Sequence, residues 1–291
     1  MSGEAAAIGC AFFWALSSAM LRGLTTEMPS LALNALRSLV GTLVYAVVVL
    51  ATGRIANFGD FGADNLFFLG INLGIGILLG DTAYYSSMRL IGLSRALTIA
   101  STYPLLTAIL AGLFLRERFG TATWVGFVLC VTGVVLVARS GLAPTGSGGH
   151  QLPARGLTLA IAAAVLWAVG TVALRRAAGG MDPFLVNFLR LGGVTLAAGT
   201  WAHARGELRG VRRLPLNRAA LLVAGAVIGS VFGAILYITA VQTAGASKAA
   251  VLASIAPLFS VPMSMLAGER VNRKLIAGMV TAVAGIAIVL R

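Results

Sequence analysis

The chain has 291 residues, of which 58% are hydrophobic and only 11% charged, and its mean hydropathy is +0.94. Soluble domains carry about a quarter charged residues, so this balance excludes a soluble globular protein and points to an integral membrane protein. The net charge of +13 does not signal nucleic acid, because the basic residues sit in short connections between apolar stretches, where membrane-flanking charge belongs.

A bilayer-spanning helix needs about 20 apolar residues, and the sequence predicts ten of them. Five fall in the first half, near 5–24, 31–52, 66–88, 94–115 and 121–138; five more follow near 156–177, 183–204, 219–243, 247–268 and 275–290. Met1 to Ala7 has no basic residue before the apolar run, unlike a signal peptide, so the first helix is expected to be retained. Cys10 and Cys130 lie inside apolar stretches and read as small buried hydrophobes rather than a disulfide or metal pair. Residues 140–155 contain the run SGLAPTGSGGHQLP, which reads as a flexible linker with a solvated His150. The all-α chain thus divides into a first repeat at 1–139, a linker at 140–155 and a second repeat at 156–291.

The word repeat is literal. Shifting the chain by 153 positions superposes Trp14 on Trp167, Asn34 on Asn187, Arg37 on Arg190, Gly76 on Gly229, Gly80 on Gly233, Tyr84 on Tyr237, Ser101 on Ser254 and Pro104 on Pro257. One residue then drops out, and Glu117, Gly126 and Gly133 fall on Glu269, Gly278 and Gly285 at an offset of 152. Five helices per repeat is an odd number, so the second half enters the membrane from the opposite side. Inverted repeats build many secondary transporters, with the substrate site between the halves near the midplane.

Ionisable residues deep in a span are functional candidates. Asp81 is the deepest acid, and helical spacing sets it on one face with Tyr84, Tyr85 and Met88. Two readings of Asp81 stay open: contact with a substrate ammonium or a proton, and a structural hydrogen bond to a neighbouring helix. Arg37 and Arg190, kept in both halves, read as structural charges whose candidate partners are Glu117 and Glu269. Pro104 and Pro257 sit mid-span, where each frees the carbonyl four residues back (Ala100 and Ala253) beside the hydroxyls of Ser101 and Ser254. Such breaks serve as hinges or as backbone facing a cavity. Trp14, Tyr103 and Trp167 are too deep for the interfacial belt and are expected to line a cavity with Tyr84 and Tyr237. Gly225, Gly229 and Gly233 form packing faces, as do Gly126, Gly133, Gly278 and Gly285; the latter stripe also suits a weak dimer. No nucleotide-binding, zinc-hydrolase or nucleophile-elbow motif is present, which argues against an enzyme or an ATP-driven pump.

The stretch from Tyr84 to Val137 resembles the EamA domain of the drug/metabolite transporter superfamily: an aromatic third helix, a small-residue turn, a mid-helix Pro, a terminal Glu and a Gly-spaced fifth helix. Tyr237 to Leu290 resembles it again through Pro257, Glu269, Gly278 and Gly285. Phe13-Trp14-Ala15 and Leu166-Trp167-Ala168 resemble the family's Trp-Gly opening, with Ala for Gly. The resemblance implies ten helices in two inverted bundles and small-molecule export across a bacterial inner membrane. The YddG-type exporters of aromatic and other neutral amino acids are the branch it resembles most, through Trp14, Tyr103 and Trp167. It also implies termini in the cytoplasm, whereas Arg205, Arg209, Arg212, Arg213 and Arg218 tip the positive-inside rule the other way.

The expectation is therefore an exporter of small amphipathic metabolites, foremost neutral or aromatic amino acids, as a monomer or weak dimer in contact with membrane lipids and without cofactor, metal or nucleic acid. The alternatives are a drug or nucleotide-sugar transporter of the same superfamily, and a membrane enzyme or structural subunit. Nucleotide sugars would want several basic cavity residues, and Arg37 and Arg190 are the only candidates.

Overall fold

The computed structural model describes residues 1–140, 154–209, 211, 214–256, 258–259 and 273–289, and every regular element among them is helical. The linker run 141–153 and the residues Pro257 and Glu269 lie outside the described residues.

Among the described residues, five helices are each long and apolar enough to cross a membrane: α1 (Gly3–Leu21), α2 (Ser30–Ala51), α3 (Ala63–Ile91), α7 (Ala154–Ala178) and α9 (Leu216–Ala244). Between and after them come α4 (Leu93–Ala100), α5 (Tyr103–Phe114), α6 (Thr121–Ser140), α8 (Pro183–Ala204), α10 (Ala246–Ala253) and α11 (Arg273–Val289). The sequence predicts ten spans, with a kink at Pro104 in the fourth; that span is in fact two separate helices. Pro104 cannot supply the N–H that would continue the turn, so the chain ends α4 at Ala100, turns at Ser101 and Thr102, and restarts with Pro104 in the first turn of α5. Elsewhere the ends follow local chemistry. Ser2 caps α1 through Ala5 N–H at 3.3 Å, and the Asp182 carboxylate accepts from the N–H groups of Phe184 and Leu185 at 3.0 and 2.9 Å to start α8. Gly92 and Gly245, repeat mates, turn α3 into α4 and α9 into α10 at φ 82° and 89°, a left-handed conformation that favours glycine.

Two helices carry a feature that the sequence does not disclose. Asn72–Asp81 within α3 and Val227–Gly233 within α9 wind as π-helix. These overlap under the repeat offset. Wider turns of this kind mark functional positions in many helices, and here they re-aim the residues that face the interior.

The interior is small and the exterior large, as expected where lipid removes the hydrophobic drive between helices. Ala6, Ala7, Ala11, Ala160, Ala163 and Ala168 are fully buried, while Leu43, Val47, Leu50, Leu113 and Leu196 point outward. Close approach needs glycine at the crossing of α6 and α11, which run antiparallel. Gly126 faces Val289, Gly285 faces the Cys130 backbone, and Gly133 faces Ala282. A Cβ on Gly133 would lie 2.2 Å from the Ala282 nitrogen, and one on Gly285 would lie 2.4 Å from that of Cys130. Cys130 and Ala282 are themselves repeat mates, so the two contacts are the same contact made twice.

That reciprocity recurs. A Cβ on Gly76 would meet the Gly170 backbone at 3.0 Å, and one on its mate Gly229 would meet Ser17, the mate of Gly170, at 2.4 Å. The hydroxyls of Thr42 and Thr195, mates on α2 and α8, bond each other at 3.1 Å.

Candidate functional site

Helices α1, α2, α3, α7, α8 and α9 surround a cavity of about 140 Å³, which residues at the ends of α4 and α10 also line. Trp14, Tyr84, Tyr103, Trp167 and Tyr237 line it, with Asp81, Ser101 and Ser254. The local fold explains the grouping. The Trp167 ring lies against Gly80 and packs on Tyr84 at 5.1 Å and Tyr103 at 5.9 Å. The Trp14 ring lies against Gly233 and packs on Tyr237 at 4.8 Å. Each indole thus uses the missing Cβ of a π-helical glycine to reach the interior. Tyr237 shares a hydrogen bond with Thr171 at 2.7 Å, and Tyr103 donates to the Ala250 carbonyl at 3.2 Å.

The polar centre of the first half is a connected network. The Asp81 carboxylate accepts from the Arg37 guanidinium and, at 2.8 Å, from the Trp167 indole N–H. Arg37 also donates to Ser230 at 3.0 Å and to the Asn34 carbonyl oxygen at 3.1 Å. The Asn34 amide in turn donates to the Ile77 carbonyl at 3.0 Å and to the Thr82 hydroxyl at 3.1 Å, across the π-helical stretch.

Arg37 does not pair with Glu117, the partner expected from sequence. Glu117 lies past the end of α5, where its carboxylate accepts from Ala246 N–H at 2.9 Å and from the Ser247 hydroxyl at 2.7 Å. It caps α10, as the partial positive charge at a helix N-terminus favours. Arg190 lines the same cavity as Asp81 without pairing to it directly: among the described residues, its Nε and Nη1 have no hydrogen-bond partner and no ion pair includes it.

This arrangement has known relatives. The model of one family, described as the EamA-like transporter family, matches residues 1–139 and 154–291, nearly the whole chain. The chain belongs to the EamA-like transporter family. It is accordingly a multi-pass membrane transporter of the drug/metabolite superfamily. The uncharacterized transporter YvbV of Bacillus subtilis (strain 168) is 27% identical over 280 residues, spanning 95% of this chain and 86% of that protein. A protein known from its crystal structure superposes with a TM-score of 0.72 at 23% identity, over 99% of this chain and 96% of its own. That likeness concerns the fold alone.

The six aromatic and acidic positions singled out in the sequence of this EamA protein all reach one cavity, and Ser101 and Ser254 reach it too. Pro104 stands behind Ser101, buried at the start of α5. Sequence reading missed the Asp81–Arg37 pair, the Asn34 relay and the exposure of Arg190 to the cavity. A signal for them exists: Asn34-x-x-Arg37 recurs as Asn187-x-x-Arg190, a spacing that sets both side chains on one helix face.

Proposed function

We propose that this EamA protein is a secondary transporter that exports small amphipathic metabolites, foremost neutral or aromatic amino acids, across a bacterial inner membrane. Its frame is ten membrane helices in two inverted five-helix repeats, 1–139 and 156–291. The antiparallel packing of the mates α6 and α11 supports that frame, as do the paired contacts of Gly76 with Gly170 and Gly229 with Ser17. A two-fold axis in the membrane plane relates such contacts, and a site on that axis can open alternately to either side.

The observation that carries the substrate class is the cavity wall. Trp14 and Trp167 face it from opposite halves, backed by Tyr237 and Tyr84. Small-molecule sites are mostly apolar and aromatic with a few fixed polar groups, as this wall is. Asp81 is already bound to Arg37 and Trp167, which supports a structural role for it and export down the substrate's own gradient.

The test is counterflow in proteoliposomes with a panel of labelled neutral amino acids, with and without a pH gradient. Transport of part of the panel by the wild type, reduced at least tenfold in Trp14→Ala and Trp167→Ala, is expected. Wild-type rates in both variants would remove the aromatic cavity from the transport path.

A further inference from the structure

The two halves present the same residues to the cavity at every charged or indole position but one. In the first half the Asp81 carboxylate accepts from Arg37 and from the Trp167 indole N–H at 2.8 Å. The repeat offset converts Asp81, Arg37 and Trp167 into Ala234, Arg190 and Trp14. Both donors are kept at the mate position, Arg190 on the second repeat and Trp14 on the first, and the acceptor is not.

The frames that hold the donors are alike. A Cβ on Gly80 would lie 2.8 Å from the Trp167 ring, and one on Gly233 would lie 2.7 Å from the Trp14 ring. Each indole packs on its tyrosine at 5.1 Å and 4.8 Å respectively. Arg190 is only 6% exposed, yet Nε and Nη1 find no partner among the described residues, and no ion pair there includes it. Ala234, Arg190 and Trp14 all line the cavity.

A buried guanidinium whose N–H groups make no direct pair is disfavoured even with the Asp81 charge across the cavity, and its planar fork matches a carboxylate. Alanine differs from aspartate by one carboxylate group. We propose that Arg190 of the second repeat and the indole N–H of Trp14 of the first form a carboxylate-binding site, where the substrate's carboxylate is held as Asp81's is held by Arg37 and Trp167. The ligand class is a monocarboxylate with an apolar body: the Arg–Trp donor pair takes the charge and the aromatic wall takes the rest. Asp81 then serves as the internal counterpart that keeps Arg37 from competing for the same group. The inference rests on reading the cavity as the transport site, and it adds the group by which the cavity selects.

Equilibrium binding to the purified protein tests it apart from transport. The probes are labelled L-phenylalanine, 3-phenylpropanoate, which lacks the amine, and 3-phenylpropanamide, the uncharged amide of the latter. Both carboxylates are expected to bind the wild type at least tenfold more tightly than the amide. Arg190→Gln is expected to lose that preference. Ala234→Asp, which supplies Arg190 with an internal acid and so needs no unpaired charge to fold, is expected to weaken both carboxylates at least tenfold. The proposal is overturned if the wild type binds neither carboxylate, if it binds amide and acid alike, or if Ala234→Asp binds them as the wild type does. Carboxylates that bind in this way but are not carried in proteoliposomes would instead overturn the export reading and leave the site standing.

Discussion

Moving the acid from one half to the other is the sharpest stability test of the repeat. Asp81→Ala leaves Arg37 with two of its three polar partners, Asn34 at 3.1 Å and Ser230 at 3.0 Å, and leaves the Trp167 N–H with none of its own. Breaking a buried ion pair costs about 3–5 kcal/mol. The side chains of Arg37 and Asp81 are 11% and 18% exposed and border a cavity, so the low end, about 3 kcal/mol, applies. At about 2–4 °C per kcal/mol this lowers the melting midpoint by about 6–12 °C. Ala234→Asp in the same chain restores an acid beside Arg190 and Trp14, the mates of the two lost donors, and is expected to return at least half of the drop. Thiol-reactive dye reports unfolding directly, since Cys10 and Cys130 are both free and buried. A double variant that melts no higher than Asp81→Ala would refute the equivalence of the two halves at this position.

Three further outcomes follow from the same contacts. Gly133→Val and Gly285→Val each force a side chain into the backbone of the facing helix, and overpacking of about 1–3 kcal/mol or more is expected for both. Gly199→Ala, where a Cβ meets nothing within 4 Å, is expected to leave the midpoint unchanged or raise it by up to about 1 kcal/mol worth of stability in the same dye assay. Glu117→Gln retains the acceptor for Ala246 and Ser247 but removes the charge at the start of α10, a loss of about 0.3–1 kcal/mol that Glu117→Ala should exceed.

Much of this was legible in the sequence because repetition and apolar length are local properties. The matched Trp, Asn, Arg, Tyr and Pro mark pairs of positions that make like contacts, and the depth of Trp14 and Trp167 announces an interior surface. What stayed hidden depends on which residues the tertiary fold brings together. Asp81 reads as a lone acid because Arg37 is 44 residues away in sequence, on another helix. Glu117 reads as an arginine partner because nothing in the sequence says that it reaches α10. The π-helical stretches are invisible to a count of period 3.6, although the glycines within them, Gly76, Gly80, Gly229 and Gly233, are the residues that let Trp14, Ser17, Trp167 and Gly170 approach. The break after Ala100 was partly legible through Pro104, which names the site of a break without giving its geometry.

Access to the cavity from both sides of the membrane is the direct test of the transport path. Ser18 borders the cavity and is half-buried, so Ser18→Cys in a Cys10→Ala, Cys130→Ala background sets a single thiol there. In right-side-out and in inside-out vesicles, a membrane-impermeant thiol reagent is expected to modify it, and the transported amino acid is expected to slow the modification in both. Modification from one side only, at a rate indifferent to substrate, would contradict alternating access through this cavity.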